Sequence, residues 1–318
     1  MLMIPRAVTV AGLAACVVFT SRHSTAAEAV PAAVAGGSAA TGAGVPLPAG
    51  WHRSASDSFG TGRGCTVRTL AELAARHQEA QWYNRAADGS VRIPNVVINN
   101  EQQTYVHFAD CIAFATDHLT IQGRGHQDGT ITSGELVSRW SARSFCVEAT
   151  YRIPAADKSW PGVWVYAGTG GGDGSEFDVE QPVTPTQGVH HVSLHNHPTE
   201  GQPRILDPRF DPQWMIWYEP TFDASTGPHR YTILYDDAKK TLTRAIDGVV
   251  IYTTPFDWNA SLGGTGHGPD PVAIVQLAVG GGWPGNLADP ASYHGDLDLY
   301  VIDYYEPGTN SGSVVPAP

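Results

Sequence analysis

Basic residues are scarce in this chain, with 19 Lys and Arg against 31 Asp and Glu and a net charge of −12 over 318 residues. Nucleic acid is therefore disfavoured as a partner, because neutralising phosphates takes clustered basic side chains. A neutral substrate suits the same balance and a sulfated polysaccharide suits it poorly. No apolar run reaches the roughly 20 residues that cross a bilayer as a helix, so no transmembrane segment is expected. There is no C-x-x-C pair, which argues against a zinc knuckle, no G-x-S-x-G elbow, which argues against a Ser-His-Asp hydrolase, and no internal repeat. Beyond Cys16 the cysteines are Cys65, Cys111 and Cys146. With an odd number at most one bridge forms, and the spacing does not choose the pair.

The N-terminus reads as a targeting segment over residues 1–29. Arg6 supplies a positive start, Ala7 to Thr20 an apolar stretch too short for a spanning helix, and Ala27-Glu28-Ala29 an A-x-A cleavage site. Leu13-Ala14-Ala15-Cys16 also fits a lipoprotein box, which would anchor the chain through Cys16. The apolar run continues through Val17, Val18 and Phe19, as in ordinary secretion. Secretion or periplasmic export is the expectation. Residues 30–50 form an Ala/Gly/Pro-rich leader, residues 51–308 one large domain, and residues 309–318 a flexible tail.

The sequence is rich in the residues that punctuate strands, 35 Gly and 23 Pro, with 42% apolar residues between them. Leu119 to Gln122, Cys146 to Ile153, Gly162 to Tyr166, His190 to His195, Tyr231 to Tyr235, Leu242 to Ile246, Ile274 to Val279 and Leu297 to Tyr304 alternate or run apolar. Asp247-Gly248 marks a hairpin. A single short helix is expected, opened by the capping box Thr69-Leu70-Ala71-Glu72 and continued by Leu73, Ala74, His77 and Ala80 at helical spacing. Short strands without interleaved helices predict an all-β antiparallel sandwich.

Chemistry concentrates in Glu176-Phe177-Asp178-Val179-Glu180. The Phe and Val spacers favour extended backbone, and alternation puts all three acids on one face. An exposed strand face can carry such a pattern with no function. Three close carboxylates nevertheless repel one another and are costly to desolvate, and a retaining glycosidase needs two carboxyl groups close together. Trp160, Trp164, Tyr166 and Trp283 offer aromatic faces for sugars. Trp283 sits in Gly280-Gly281-Gly282-Trp283-Pro284-Gly285, a loop too glycine-rich for a core. His191, His195 and His197 share a strand face with Ser193, and the reading preferred over a metal site is a row of ring edges that hydrogen-bond sugar hydroxyls.

These residues resemble family 16 glycoside hydrolases of the laminarinase and lichenase kind from about Asn99 to the C-terminus. The resemblance is carried by Asn99-Asn100-Glu101-Gln102-Gln103-Thr104-Tyr105, Thr132-Ser133-Gly134, Val147-Glu148-Ala149, Trp160-Pro161-Gly162-Val163-Trp164, His191 to His195, and Leu277-Ala278-Val279-Gly280-Gly281 with Trp283-Pro284-Gly285. It implies a β-jelly roll of two antiparallel sheets, concanavalin A-like, with a concave substrate cleft. Glu176 would be the nucleophile, Glu180 the general acid/base, and Asp178 the residue that tunes the nucleophile. Asn99, Trp160, Trp164, His191, His195 and Trp283 would bind substrate. The reaction implied is retaining endo-hydrolysis of β-1,3- or mixed β-1,3/1,4-glucan by a monomer. Transglycosylation with the same residues and non-catalytic sugar binding are the alternatives. No cofactor is required. Some members carry a cation, a structural calcium, on the face away from the cleft, but the sequence singles out no metal ligands. The chain departs from the family at Glu135, where a basic or apolar residue is frequent, and in the E-x-D-x-E spacing, which is the lichenase form beside laminarinase-like flanks. The segment from Pro198 to Pro228, with Trp214 and Trp217, is longer than expected.

Overall fold

The structure is a computed structural model. It describes residues 44–79, 101–167, 174–180, 183–184, 187–188, 190–197, 216–218, 222–256, 270–281 and 284–308; within 167–218, and at Tyr252, it describes the backbone alone. The expected signal segment 1–29, most of the leader 30–50 and the tail 309–318 lie outside these residues.

In chain order the strands are β1 (Trp51–Ser58), β2 (His77–Glu79), β3 (Gln103–Tyr105), β4 (Ile112–Phe114), β5 (Leu119–Gly125), β6 (Ile131–Ser133), β7 (Glu135–Ser141), β8 (Phe145–Arg152), β9 (Ser159–Ala167) and β10 (Gly174–Glu180). They continue as β11 (Val183–Thr184), β12 (Gln187–Gly188), β13 (His190–His197), β14 (Ile216–Tyr218), β15 (His229–Asp236), β16 (Thr241–Ile246), β17 (Val249–Pro255), β18 (Val272–Val279) and β19 (His294–Pro307). One sheet runs β17-β16-β15-β8-β19-β5-β6-β3, with β1 added beside β19 and β4 beside β5; the other runs β14-β13-β10-β9-β18-β7-β2. Pairing is antiparallel except for β3 beside β6, which is parallel. This is the expected all-β, jelly-roll arrangement of two sheets.

Alternation decides which side chains meet between the sheets. Phe145, Val147, Ala149 and Tyr151 of β8 and Tyr231, Ile233 and Tyr235 of β15 pack with Leu136 of β7, Val163 and Val165 of β9, and Ala273, Val275 and Leu277 of β18 in one buried core. Each valine, leucine, isoleucine or phenylalanine among them contributes about 1.5–3 kcal/mol on leaving water. Tyr151 and Tyr231 stack within it, ring centroids 4.2 Å apart. In the long β19, Leu297 and Leu299 point into the core, and after a register shift between Leu299 and Val301 so do Ile302 and Tyr304. The bulge resets the alternation and keeps both ends of the strand buried. Asp247 and Gly248 both have positive φ, 51° and 76°, as a two-residue hairpin between β16 and β17 requires.

The helix α1 spans Leu70–Arg76, and Thr69 caps it by accepting from the Glu72 N–H. The Glu72 carboxylate closes the box one residue early, on the Arg68 N–H at 2.7 Å. The helix is shorter than the spacing predicts: His77 starts β2 instead of continuing the helical face. Its ring is drawn into the core by Asp57 of β1, at 3.0 Å, while Arg76 reaches the other Asp57 oxygen at 2.5 Å. Burial works against the Asp57 carboxylate, but His77 and Arg76 outweigh it and hold its pKa below the ordinary range. Ala80 lies outside the described residues.

Cys65, Cys111 and Cys146 are all free thiols, so the bridge left open by the sequence does not form. The end of the leader is packed in place: Val45 is buried, and Gly44 lies so close to Glu148 that a Cβ there would stand 2.6 Å from a carboxylate oxygen.

Candidate active site

Val163 and Val165 of β9 face the core, so Trp160, Gly162, Trp164 and Tyr166 occupy the opposite, outer face of the seven-stranded sheet. The acids of β10 join them there through direct pairing: Glu176 opposite Tyr166, Asp178 opposite Trp164, and Glu180 opposite Gly162. On the other side β13 places His195 beside Glu176, Ser193 beside Asp178 and His191 beside Glu180. Three strands close in sequence, β9, β10 and β13, thus bring acids, imidazole-bearing residues and aromatics to one patch.

The register extends in rows across the sheet. β14 sets Trp217 opposite His191. In the other direction Gly162 pairs with Gln276 of β18, and Gln276 with Glu135 of β7. Trp217, His191, Glu180, Gly162, Gln276 and Glu135 therefore form one row. The next holds Ser193, Asp178, Trp164, Ile274, Val137 and Gln78. Trp164, Tyr166, Val137 and Ile274 make a second apolar cluster on this outer face. Trp164 is 5% and Trp160 6% exposed, so both rings are buried while lying outside the main core. The Trp164 indole N–H is enclosed without a hydrogen-bond partner among the described residues.

Glu135 is the electrostatic anomaly of this face. It is 1% exposed, and neither carboxyl oxygen has a hydrogen-bond partner among the described residues. Burial, with the like charge of Glu101 nearby, pushes its pKa up to about 8. A carboxyl group in such surroundings holds its proton at neutral pH.

The expected sugar contacts Asn99 and Trp283 lie outside the described residues, but the segments that carry them are joined. Gln103 accepts from the Val279 N–H at 2.7 Å, and Gln102 accepts from the Leu287 N–H at 2.6 Å. Gly280, at φ +70°, donates its N–H to the Lys158 carbonyl, and Gly281 donates to Asn286. Sequence reasoning missed Gln102 and Gln103 as anchors, and it missed Gln276 and Trp217 as neighbours of the acids. Among the described residues no group of three or more His, Cys, Asp or Glu side chains is placed to hold a metal ion.

No family model matches the sequence, and no curated protein does. Solved structures do match. The endo-1,3-β-glucanase of Streptomyces sioyaensis aligns with 83% of this chain and 99% of its own, at 20% identity and a TM-score of 0.61. SCLam, described as a non-specific endo-β-1,3(4)-glucanase of family 16, aligns with 84% of this chain and 95% of its own, at 18% identity and a TM-score of 0.59. The chain has the fold of the family 16 glucanases. An endo-acting O-glycanase of human gut bacteria, described as initiating mucin breakdown, shares that fold too, at 17% identity, a TM-score of 0.60, 83% of this chain and 93% of its own. One family 16 fold thus carries different substrates, and the substrate has to be argued from the site.

Proposed function

We propose that the chain is an exported glycoside hydrolase that cleaves β-glucan internally by a retaining, double-displacement mechanism. One observation supports this above others: the backbone pairing that sets Glu176, Asp178 and Glu180 on the outer face of the sheet, between the histidine-bearing β13 and the tryptophan-bearing β9. In this reading Glu180 protonates the departing sugar oxygen while Glu176 attacks the anomeric carbon from the opposite side. Water, deprotonated by Glu180, then releases the sugar from Glu176 with the β configuration restored.

The strand geometry sets a requirement. Residues four apart are separated by about 13 Å at ~3.3 Å per residue, whereas retention needs carboxyls about 5–5.5 Å apart. The two glutamate side chains must therefore lean along the strand toward each other, over Asp178. Asp178 then hydrogen-bonds one of them and separates their protonation states, since close like charges push carboxylate pKa values apart. Gly162, opposite Glu180, leaves space for a sugar ring beside the acid/base. The N-terminal basic, apolar and A-x-A pattern supports export.

The test is reducing-sugar release from laminarin, barley β-glucan, xyloglucan, agarose and gastric mucin, measured side by side with wild type and Glu176→Gln. Activity on the β-1,3-containing glucans that disappears in Glu176→Gln is expected. Release from mucin alone, or from none of the five, would overturn the reading.

A further inference from the structure

The outer face of the ten-stranded sheet, the side turned away from the acids of β10, holds a buried carboxylate. Leu297 and Leu299 of β19 point into the core, so Asp298 between them points outward. Thr120 of β5 and Arg152 of β8 are its partners on the two neighbouring strands, and the three side chains form a row. Asp298 is 2% exposed, and both of its oxygens are committed. Oδ1 accepts from the Thr120 hydroxyl at 2.8 Å and lies 3.5 Å from His118 Nε2. Oδ2 accepts from Arg152 Nε at 3.0 Å and from Arg152 Nη2 as well. Glu148, also buried on this face, accepts from the Thr232 and Tyr305 hydroxyls at 3.2 and 3.3 Å.

The family resemblance implies, for some members, a cation on this side of the sandwich. Calcium takes about six to eight oxygen ligands, and the surroundings of Asp298 do not offer them. The carboxylate is already held by Arg152 and Thr120, two of its neighbours are an imidazole and a guanidinium, and the guanidinium repels a second positive charge. Calcium therefore does not fit at Asp298. We propose that Arg152 does here the work of a bound cation: it neutralises Asp298 and ties β8 to β19 and, through Thr120, to β5, so that the fold does not depend on calcium. A guanidinium suits the task, because it is always charged and brings two N–H groups to one carboxylate in a fixed fork. Unlike an ion, it neither dissociates nor yields to a chelator. Its removal would strand a buried carboxylate, with the like charges of Asp296 and Asp117 close by. The inference holds whichever sugar the chain cleaves.

The test is calorimetric melting of the full chain in EGTA, in excess calcium chloride, and in sodium chloride of the same ionic strength. Wild type should melt within about 1 °C in all three, since a ligand that binds only the folded state would raise Tm. Arg152→Met should lower Tm by about 5 °C or more, as expected when one partner of a buried charge pair is removed. Arg152→Lys keeps the charge and should lose less. Adding Asp298→Asn to Arg152→Met removes the stranded charge and should recover a large part of the loss. If Arg152→Met does not fold, the double variant should, and the wild-type comparison stands without either. A wild-type Tm that falls in EGTA or rises specifically with calcium would overturn the proposal, because a cation would then hold the fold. So would an Arg152→Met protein that melts like wild type, or a double variant no more stable than the single one, because charge neutralisation would not then be what Arg152 supplies.

Discussion

At the scale of single residues, the buried carboxyl of Glu135 makes stability depend on pH in a defined direction. Its ordinary pKa of 4.5 applies in the unfolded chain, and about 8 in the folded one. Between those values the folded state holds a proton that the unfolded state releases, so stability falls as pH rises through this window, by at most about 1.4 kcal/mol per pH unit. Glu135→Gln removes the titration. The variant should gain melting temperature over wild type at pH 8 and little at pH 4.5, by calorimetry; an equal difference at both pH values would show that Glu135 does not titrate there. The acids of β10 give a second prediction at this scale. Glu180→Gln should lower turnover of glucan by about 10²- to 10⁴-fold, the usual contribution of a general acid/base, with an unchanged melting temperature. Glu176→Gln should lose nearly all activity, and Asp178→Asn should lose less, because in the proposed mechanism it positions a neighbour and makes no bond to the sugar. What was legible in the sequence follows from this difference in reach. The common face of Glu176, Asp178 and Glu180 depends only on the alternation of one strand. Gly162 and Trp217 join that row through pairing with neighbouring strands, and Gln276 and Glu135 through strands more than a hundred residues apart in the chain, which no local pattern encodes.

At the scale of elements, the strands that announced themselves were those with long apolar or alternating runs, such as β8, β15 and β18, because burial on one or both faces imposes the pattern. β1 is polar at all but Trp51 and Ala55, and β7 begins with the buried Glu135 and ends in exposed residues, so neither reads as a strand from hydrophobicity. The helix was legible at its capped start and not at its end, since what stops it is the capture of His77 by Asp57, a contact across the fold. The loop after β18 lends itself to a controlled measurement. Gly280 and Gly129 both have left-handed φ, +70° and +83°, but a Cβ at Gly280 would lie 2.4 Å from the Gln102 carboxamide oxygen, while one at Gly129 meets nothing within 4 Å. Gly129→Ala should cost only the backbone strain of about 1–2 kcal/mol. Gly280→Ala should cost about 1 kcal/mol more, because displacing Gln102 breaks its bond with the Leu287 N–H. Denaturant titration of the two variants separates the terms, and equal losses would mean that Gln102 swings aside freely.

At the scale of the whole molecule, charge and fold bear on the substrate together. The jelly roll presents a sheet face across which a polysaccharide can lie, and the same fold serves endo-1,3-β-glucanase, endo-β-1,3(4)-glucanase and mucin O-glycanase. The architecture is therefore silent on the sugar, and selection falls to the side chains and the net charge of −12. An anionic polymer would approach against that charge, with few basic residues to compensate. Like-sign encounter is slow at low ionic strength and partly relieved when salt screens it, over about 10 Å at 0.1 M. Release of reducing sugar from laminarin and barley β-glucan should exceed release from carrageenan at every salt concentration. Agarose, a galactan without β-1,3-glucose units, should give little or none. The products from glucan should appear first as the β anomer by NMR, as double displacement requires. The E-x-D-x-E spacing keeps β10 regular from Gly174 to Glu180, with no register shift against β9 or β13. Glu180 therefore stays aligned with Gly162 and His191, and both pure β-1,3 and mixed-linkage glucans are expected as substrates. Carrageenan cleavage that outpaces glucan cleavage would show that the charge does not select the substrate, and an α product early in the reaction would rule out double displacement by the acids of β10.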